Sequence, residues 1–187
     1  MKITGGEARG RPLYIPKKII RPTQNAVREA IFNIIGPSFF KDAVVLDLFC
    51  GSGALGIEAL SREAKEVIFI DDKKDCMVSV RRNLAIFGKE IDKKTSLIKT
   101  DVFRAIKVFS RKKRKFSLIF ADPPYHKNLG GKCLKALDEY DILTRNGLIV
   151  IEYFKKEILD IKTKNLAFLK LKQYGDTKIS FFKSKSL

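Results

Sequence analysis

The apolar segment Ala43-Val44-Val45-Leu46 runs directly into Asp47-Leu48-Phe49-Cys50-Gly51-Ser52-Gly53-Ala54-Leu55-Gly56 and then Ile57-Glu58-Ala59-Leu60. No other stretch limits the possible folds so sharply. A β-branched run, a tight glycine turn and a helix-forming run predict strand, turn and helix in that order, the opening unit of a parallel α/β sheet. Gly51, Gly53 and Gly56 satisfy G-x-G-x-x-G, and Asp71 closes a second apolar run, Val67-Ile68-Phe69-Ile70, about 20 residues on, as a dinucleotide site requires. Asp47 argues the other way. A pyrophosphate at this turn needs backbone NH donors and no adjacent negative charge.

A cationic ligand would suit Asp47. S-adenosylmethionine carries a sulfonium and an ammonium, has no phosphate, and has ribose hydroxyls that an acid such as Asp71 can accept from. The glycines would let the backbone approach it closely. Asp101 follows the short run Ser96-Leu97-Ile98 and precedes Val102-Phe103-Arg104-Ala105-Ile106. It is placed either to accept from an adenine amine or to cap the helix it precedes.

Downstream, Leu118-Ile119-Phe120-Ala121 delivers Asp122-Pro123-Pro124-Tyr125. An Asp at a strand end accepts a hydrogen bond from an amine, and the carbonyl of Asp122 or Pro123 can accept another. Consecutive prolines fix φ and donate no NH. Tyr125 adds a face on which a planar base can stack. An ordinary turn ending a strand is the alternative reading.

The rest of the chain alternates. A helix is expected over residues 24 to 35, capped by Thr23 and stopped by Gly36-Pro37. Strands are expected at Val44 to Leu48, Val67 to Ile70, Leu97 to Lys99, Phe116 to Ala121, Leu148 to Phe154, Leu169 to Tyr174 and Lys178 to Phe182. Helices separate the first five. This predicts a doubly wound, mostly parallel seven-stranded sheet, with the last two strands forming an antiparallel hairpin around Gly175-Asp176. Ligands bind such sheets at the carboxyl ends of the strands, which puts Asp47, Asp71, Asp101 and Asp122 on one rim.

Composition narrows the function classes. The 187 residues, 45% hydrophobic with 14 Phe and no Trp, suit one packed core. No segment has the length of a membrane span and the N-terminus lacks a signal-peptide core, so a cytoplasmic protein is expected. Cys50, Cys76 and Cys133 have no C-x-x-C spacing and read as reduced thiols, with no metal site expected. His126 is the only histidine, which excludes a multi-histidine centre. Glu152 receives no role. The 38 Lys and Arg against 21 Asp and Glu give a net charge of +17, a surface for polyanions. Basic residues gather in the N-terminal arm, where Gly5-Gly6 and Gly10 interleave with Arg9 and Arg11 and favour a mobile or hairpin-like loop able to follow a phosphate backbone. The run Arg111 to Lys115 lies between a helix and a strand, where a charged connection is expected anyway.

The stretch Asp47 to Gly56 resembles motif I of the class I methyltransferases, and Asp122 to Tyr125 resembles their amino-methylating signature. Gly5-Gly6 with Arg9-Gly10-Arg11, Arg21-Pro22-Thr23, Val27-Arg28-Glu29-Ala30, Phe32-Asn33 and Tyr174-Gly175-Asp176-Thr177 resemble the bacterial 16S ribosomal RNA guanine-N2 methyltransferase family (RsmD-like). Asp71 stands where that family usually has Glu, and Cys50 where Ala is commoner. The resemblance implies a Rossmann-like class I methyltransferase domain over residues 23–187 and a basic RNA-binding arm or hairpin over 1–22. It implies S-adenosylmethionine held by Asp47, Phe49, Gly51, Ser52, Gly53, Asp71, Asp101 and Asp122. Catalysis would fall to Asp122, Pro123 and Tyr125. RNA, as 16S rRNA or an assembled small subunit, would be bound by Arg9, Arg11, Arg21 and Tyr125, with the protein a monomer. A DNA adenine-N6 or cytosine-N4 methyltransferase shares the tetrapeptide chemistry but usually needs a large target-recognition domain. A noncatalytic RNA-binding module is the other alternative, opposed by the intact glycines and rim acids.

Overall fold

The computed structural model describes residues 1–16, 25–125 and 128–185. Along the chain these give α1 (Asn25–Ile35), β1 (Val44–Leu48), α2 (Ala54–Ser61), β2 (Glu66–Asp71), α3 (Lys74–Leu84) and β3 (Thr95–Lys99). They continue with α4 (Val102–Arg111), β4 (Phe116–Ala121), α5 (Leu129–Glu139), β5 (Leu143–Phe154), β6 (Leu166–Tyr174) and β7 (Thr177–Ser184). Seven strands among the described residues form one sheet in the order β3-β2-β1-β4-β5-β7-β6. The first five run parallel, β7 is antiparallel to β5, and β6 closes the edge antiparallel to β7.

Both faces of the central strands are covered, which is why β1, β2 and β4 read as unbroken apolar runs. Val45, Val67, Phe69, Leu118 and Phe120 pack under α1, α2 and α3. Leu46, Leu48, Ile68, Ile70, Ile119 and Ala121 pack under α4 and α5. The bounds of β1 and β4 coincide with those expected. β5 begins earlier than expected, at Leu143, because the polar Arg145-Asn146 that breaks the apolar pattern lies within the strand, beside a register shift between Phe116 and Leu118 of β4. α1 starts at Asn25 and ends before Gly36, whose φ of 87° stops it. Its expected cap, Thr23, and Gln24 lie outside the described residues.

The N-terminal residues form a hairpin fastened to the domain. Lys2 bridges Pro12, and Ile3 donates to Arg11 O (3.0 Å) and accepts from Gly10 N (2.9 Å) across the arm. Ile3, Ala8 and Leu13 are buried in the core shared with α1 and α2. At the C-terminal end of α2, Glu7 N donates to Ser61 O (2.8 Å), Ala8 N to Ser61 Oγ (2.9 Å), and Ser61 Oγ to Gly5 O (2.6 Å). Thr4 donates through N and Oγ1 to the two Glu58 oxygens, at 2.8 and 2.7 Å. Glu58, whose side chain is wholly buried, also receives Arg28 Nε at 3.2 Å and Arg62 Nε at 3.1 Å. Arg28 is equally buried and donates to Lys2 O, so removing Glu58 strands the Arg28 charge at a cost of about 3–5 kcal/mol, whereas removing Arg28 leaves Glu58 paired with Arg62.

Gly5-Gly6 and Gly10, expected in a mobile or hairpin-like loop, lie in this hairpin, and Gly6 permits its close contact with α2. A Cβ on Gly6, where φ is 76°, would lie 1.7 Å from the Ser61 carbonyl oxygen. Among the described residues no helix is long and apolar enough to cross a membrane.

Candidate active site at the carboxyl ends of the strands

β1 and β4 end level, since Leu48 pairs with Ala121, and β2 runs one residue further, since Leu48 pairs with Ile70 and Asp71 still pairs with Lys99 of β3. Asp71, the last residue of β2, and Asp122, the first residue after β4, therefore stand level with Phe49, one residue past the Leu48 pairings. Strand alternation puts Asp47, Asp71 and Asp122 on the face of Val45, Phe69 and Phe120, where α2 begins. Glu152 shares that face, since Ala121 pairs with Ile151.

Between β1 and α2 the chain turns through left-handed residues: Phe49 (φ 57°), Gly51 (φ 55°) and Gly53 (φ 78°). Phe49 bears a side chain there, at a cost of roughly 1–2 kcal/mol, with its ring edge-on to Phe103 (centroids 6.4 Å apart). A Cβ on Gly53 would meet Val80 Cγ2 at 3.0 Å and Phe69 Cε1 at 3.2 Å. Gly56 serves packing, for a Cβ there would lie 2.4 Å from Phe69 Cε1.

Both glycine NH groups of this turn are engaged. Gly51 N donates to Asp71 Oδ2 (3.0 Å) and Gly53 N to Cys50 O (2.7 Å). A pyrophosphate would find those NH groups occupied and carboxylates beside it, so the dinucleotide alternative does not suit the turn. Asp71 also receives Lys73 N on Oδ1 (3.0 Å), and each carboxylate oxygen keeps a second lone pair for a hydroxyl donor. Asp47 lies beneath the rim, 1% exposed, and accepts Gly56 N on Oδ2 at 2.9 Å. Burial pushes its carboxyl well above the usual range; the Gly56 bond opposes this, and the charges of Asp122 and Asp71 add to it. Three acidic groups around a turn with glycine at positions 51 and 53 make an acceptor-rich cradle, which fits a cationic, hydroxyl-bearing ligand such as S-adenosylmethionine. Asp101 is the N-cap of α4, its Oδ1 accepting Arg104 N at 2.9 Å, so the capping alternative describes its geometry here. Ser52 is buried in the turn.

On the other side of the rim, Asp122 is half-buried, with its NH directed to Leu48 O (3.4 Å); Pro123 is buried and Pro124 exposed. The Tyr125 ring tilts against Phe154 (centroids 5.5 Å, 37°). Its hydroxyl donates to Glu152 Oε1 at 3.2 Å and lies 2.7 Å from Thr177 Oγ1. Burial raises the Tyr125 pKa far above that of an ordinary tyrosine, the Thr177 bond opposing and the charge of Glu152 adding. Neither Glu152 nor Thr177 was assigned to the site from the sequence. The available signal was Glu152 itself, a carboxylate inside the apolar run Val150-Ile151-Glu152-Tyr153.

Arg9 and Arg11 are exposed on the hairpin. That hairpin meets the C-terminal end of α2, whose eight residues carry it about 12 Å from the rim. Arg21 and His126 lie outside the described residues. Cys50, Cys76 and Cys133 are free and buried. The run Arg111 to Lys115 is a charged connection, with Arg114 paired to Glu66 and Lys115 to Asp141. A shallow groove lined by Arg81, Leu84, Ile91 and Leu97 opens at the C-terminal end of α3 and shares no residue with the rim. Among the described residues no group of three or more His, Cys, Asp or Glu could hold a metal ion.

The strand order, the antiparallel edge hairpin and an acid-rimmed glycine turn at the carboxyl ends define a class I methyltransferase fold. The family described as Conserved hypothetical protein 95 matches residues 1–183, and the chain belongs to it, the RsmD family. YlbH of Bacillus subtilis is 35% identical over 186 residues, 99% of this chain and 100% of that protein. Ribosomal RNA small subunit methyltransferase D of Haemophilus influenzae is 34% identical over 176 residues, 94% of this chain and 89% of that one. Among solved structures, yhhF of Escherichia coli superposes with a TM-score of 0.83 at 26% identity, covering 99% of this chain and 98% of that one.

Proposed function

We propose that the chain transfers a methyl group from S-adenosylmethionine to the exocyclic N2 amine of a guanine in 16S ribosomal RNA. The observation that carries this is the acidic carboxyl end of the sheet: Asp71 and Asp122 at the rim with Asp47 buried beneath them, around a turn whose Gly51 and Gly53 NH groups are already engaged. Kinship with a ribosomal RNA small subunit methyltransferase supports the substrate class. S-adenosylmethionine, when bound, supplies an electrophilic methyl. Asp71 would hold the ribose hydroxyls, Asp101 the adenine amine, and Phe49, Ser52 and the glycines would shape the floor.

Guanine N2 is a poor nucleophile because its lone pair is delocalised into the ring. Asp122 would accept one N2–H bond and the Pro123 carbonyl the other, drawing the lone pair out of the ring plane and fixing its direction. Positioning of this kind can contribute roughly 7 kcal/mol or more. The proton lost from N2 passes to Asp122 or to water. Tyr125 would stack on the extruded base, a contact worth about 1–3 kcal/mol. Arg9 and Arg11, with Arg21, would bind the RNA backbone as part of an N-terminal arm. The protein would act in the cytoplasm as a monomer, on the RNA or the assembled subunit.

The test is transfer of labelled methyl to small ribosomal subunits from cells lacking this protein, with nucleoside analysis. N2-methylguanosine in 16S rRNA is the expected product. Label found only in DNA would overturn the substrate, and no label in any acceptor would overturn the enzymatic reading.

A further inference from the structure

Asn83, near the C-terminal end of α3, is 3% exposed and belongs to no part of the chemistry above. Its side chain nevertheless joins two segments distant in sequence. Oδ1 accepts Tyr14 N at 2.7 Å, Nδ2 donates to Tyr14 O at 2.9 Å, and Nδ2 also donates to Ser52 O at 2.9 Å. Both amide hydrogens thus meet carbonyls and the oxygen meets an NH, which fixes the orientation of the amide. Tyr14 continues directly from the hairpin, one residue after the buried Leu13, whose NH donates to Met1 O. Ser52 lies between Gly51 and Gly53 in the rim turn. Outside, the Arg82 guanidinium covers the Tyr14 ring at 4.0 Å.

The turn is therefore pinned at successive residues, Gly51 N by Asp71 and Ser52 O by Asn83, and the second pin is shared with the N-terminal arm. We infer that Asn83 is a positioning residue that seats the glycine turn for the cofactor and couples it to the hairpin. The arm and the cofactor pocket are then energetically linked, each stabilising the other's bound arrangement. Removing the amide leaves the Ser52 and Tyr14 carbonyls and the Tyr14 NH without their buried partner, which loosens turn and arm together.

The inference rests on the proposed cofactor reading, and the experiment separates the two. S-adenosylhomocysteine is titrated calorimetrically into the full-length wild type, Asn83→Ala and Arg82→Ala, and backbone amide exchange at Tyr14 and Leu13 is followed by NMR with and without it. Asn83→Ala is expected to weaken binding on the order of tenfold. It should also speed exchange at Tyr14 without ligand and abolish the slowing of that exchange which the ligand produces in wild type. Arg82→Ala, a surface change that keeps the core intact, should show the same effects at roughly two- to fivefold. Wild-type affinity in both variants, or Tyr14 exchange indifferent to the ligand in wild type, overturns the coupling alone. No binding to wild type overturns the cofactor reading, and the coupling with it.

Discussion

The Tyr125 hydroxyl lies 2.7 Å from Thr177 Oγ1, so the loop after β4 is tied to the first residue of β7 in the C-terminal hairpin. A tyrosine hydroxyl has one proton. With that proton directed to Glu152, Thr177 is left as the donor to the phenolic oxygen. Ring orientation is thus set from two strands, with Phe154 supporting one side. Thr177→Val should lower turnover about tenfold through a loosened ring, while Thr177→Ser retains it and S-adenosylhomocysteine affinity stays unchanged. In a Tyr125→Phe background the Thr177→Val effect should vanish, which steady-state kinetics of the double-mutant cycle would show.

Asp122 is assigned to the amine. Asp122→Ala is expected to lower the single-turnover rate by about 10³-fold or more while leaving S-adenosylhomocysteine affinity within a few-fold. Lost affinity with activity preserved at saturating cofactor would reverse the assignment.

Asp47 makes the apo protein sensitive to pH. Its carboxyl titrates near 3.8 when unfolded and well above that when folded, chiefly through burial. The folded state therefore holds the proton more tightly. This stabilisation is complete below the unfolded value and is lost as pH rises through the folded one. Asp47→Asn keeps an oxygen for Gly56 N and removes the titration. The variant should melt a few degrees above wild type at neutral pH, and the gap should shrink on acidification, as differential scanning calorimetry across pH would register.

Gly6→Ala places a methyl group against the Ser61 carbonyl at a positive φ. Loss of at least about 3 kcal/mol of stability is expected, read by urea denaturation. Gly10→Ala is the control, because a Cβ there meets nothing within 4 Å and only its φ of 84° costs.

Reversal of charge at Arg9 and Arg11 to Glu should weaken binding of 16S RNA and reduce its salt slope by about one unit per arginine that contacts phosphate. Thermal stability should be unaltered, because both side chains are exposed. An unchanged salt slope would move the RNA contact away from this hairpin.

The sheet, the glycine turn and the acidic rim are legible along the chain. Two-sided burial writes a strand as a continuous apolar run, and a left-handed turn must be written with glycine, so β1, the turn at Gly51 to Gly53 and the ends of β2 and β4 are local properties of the chain. Tertiary structure alone decided what holds those parts in place. Thr4 reaches Glu58 across 54 residues, Tyr14 reaches Asn83 across 69, and Tyr125 reaches Thr177 across 52. Each bond depends on which helix end or strand neighbour the topology brings alongside, and no periodicity along the chain records that. Gly5-Gly6 shows the same division: their composition reads as freedom, and only the nearness of Ser61 turns it into a requirement for contact.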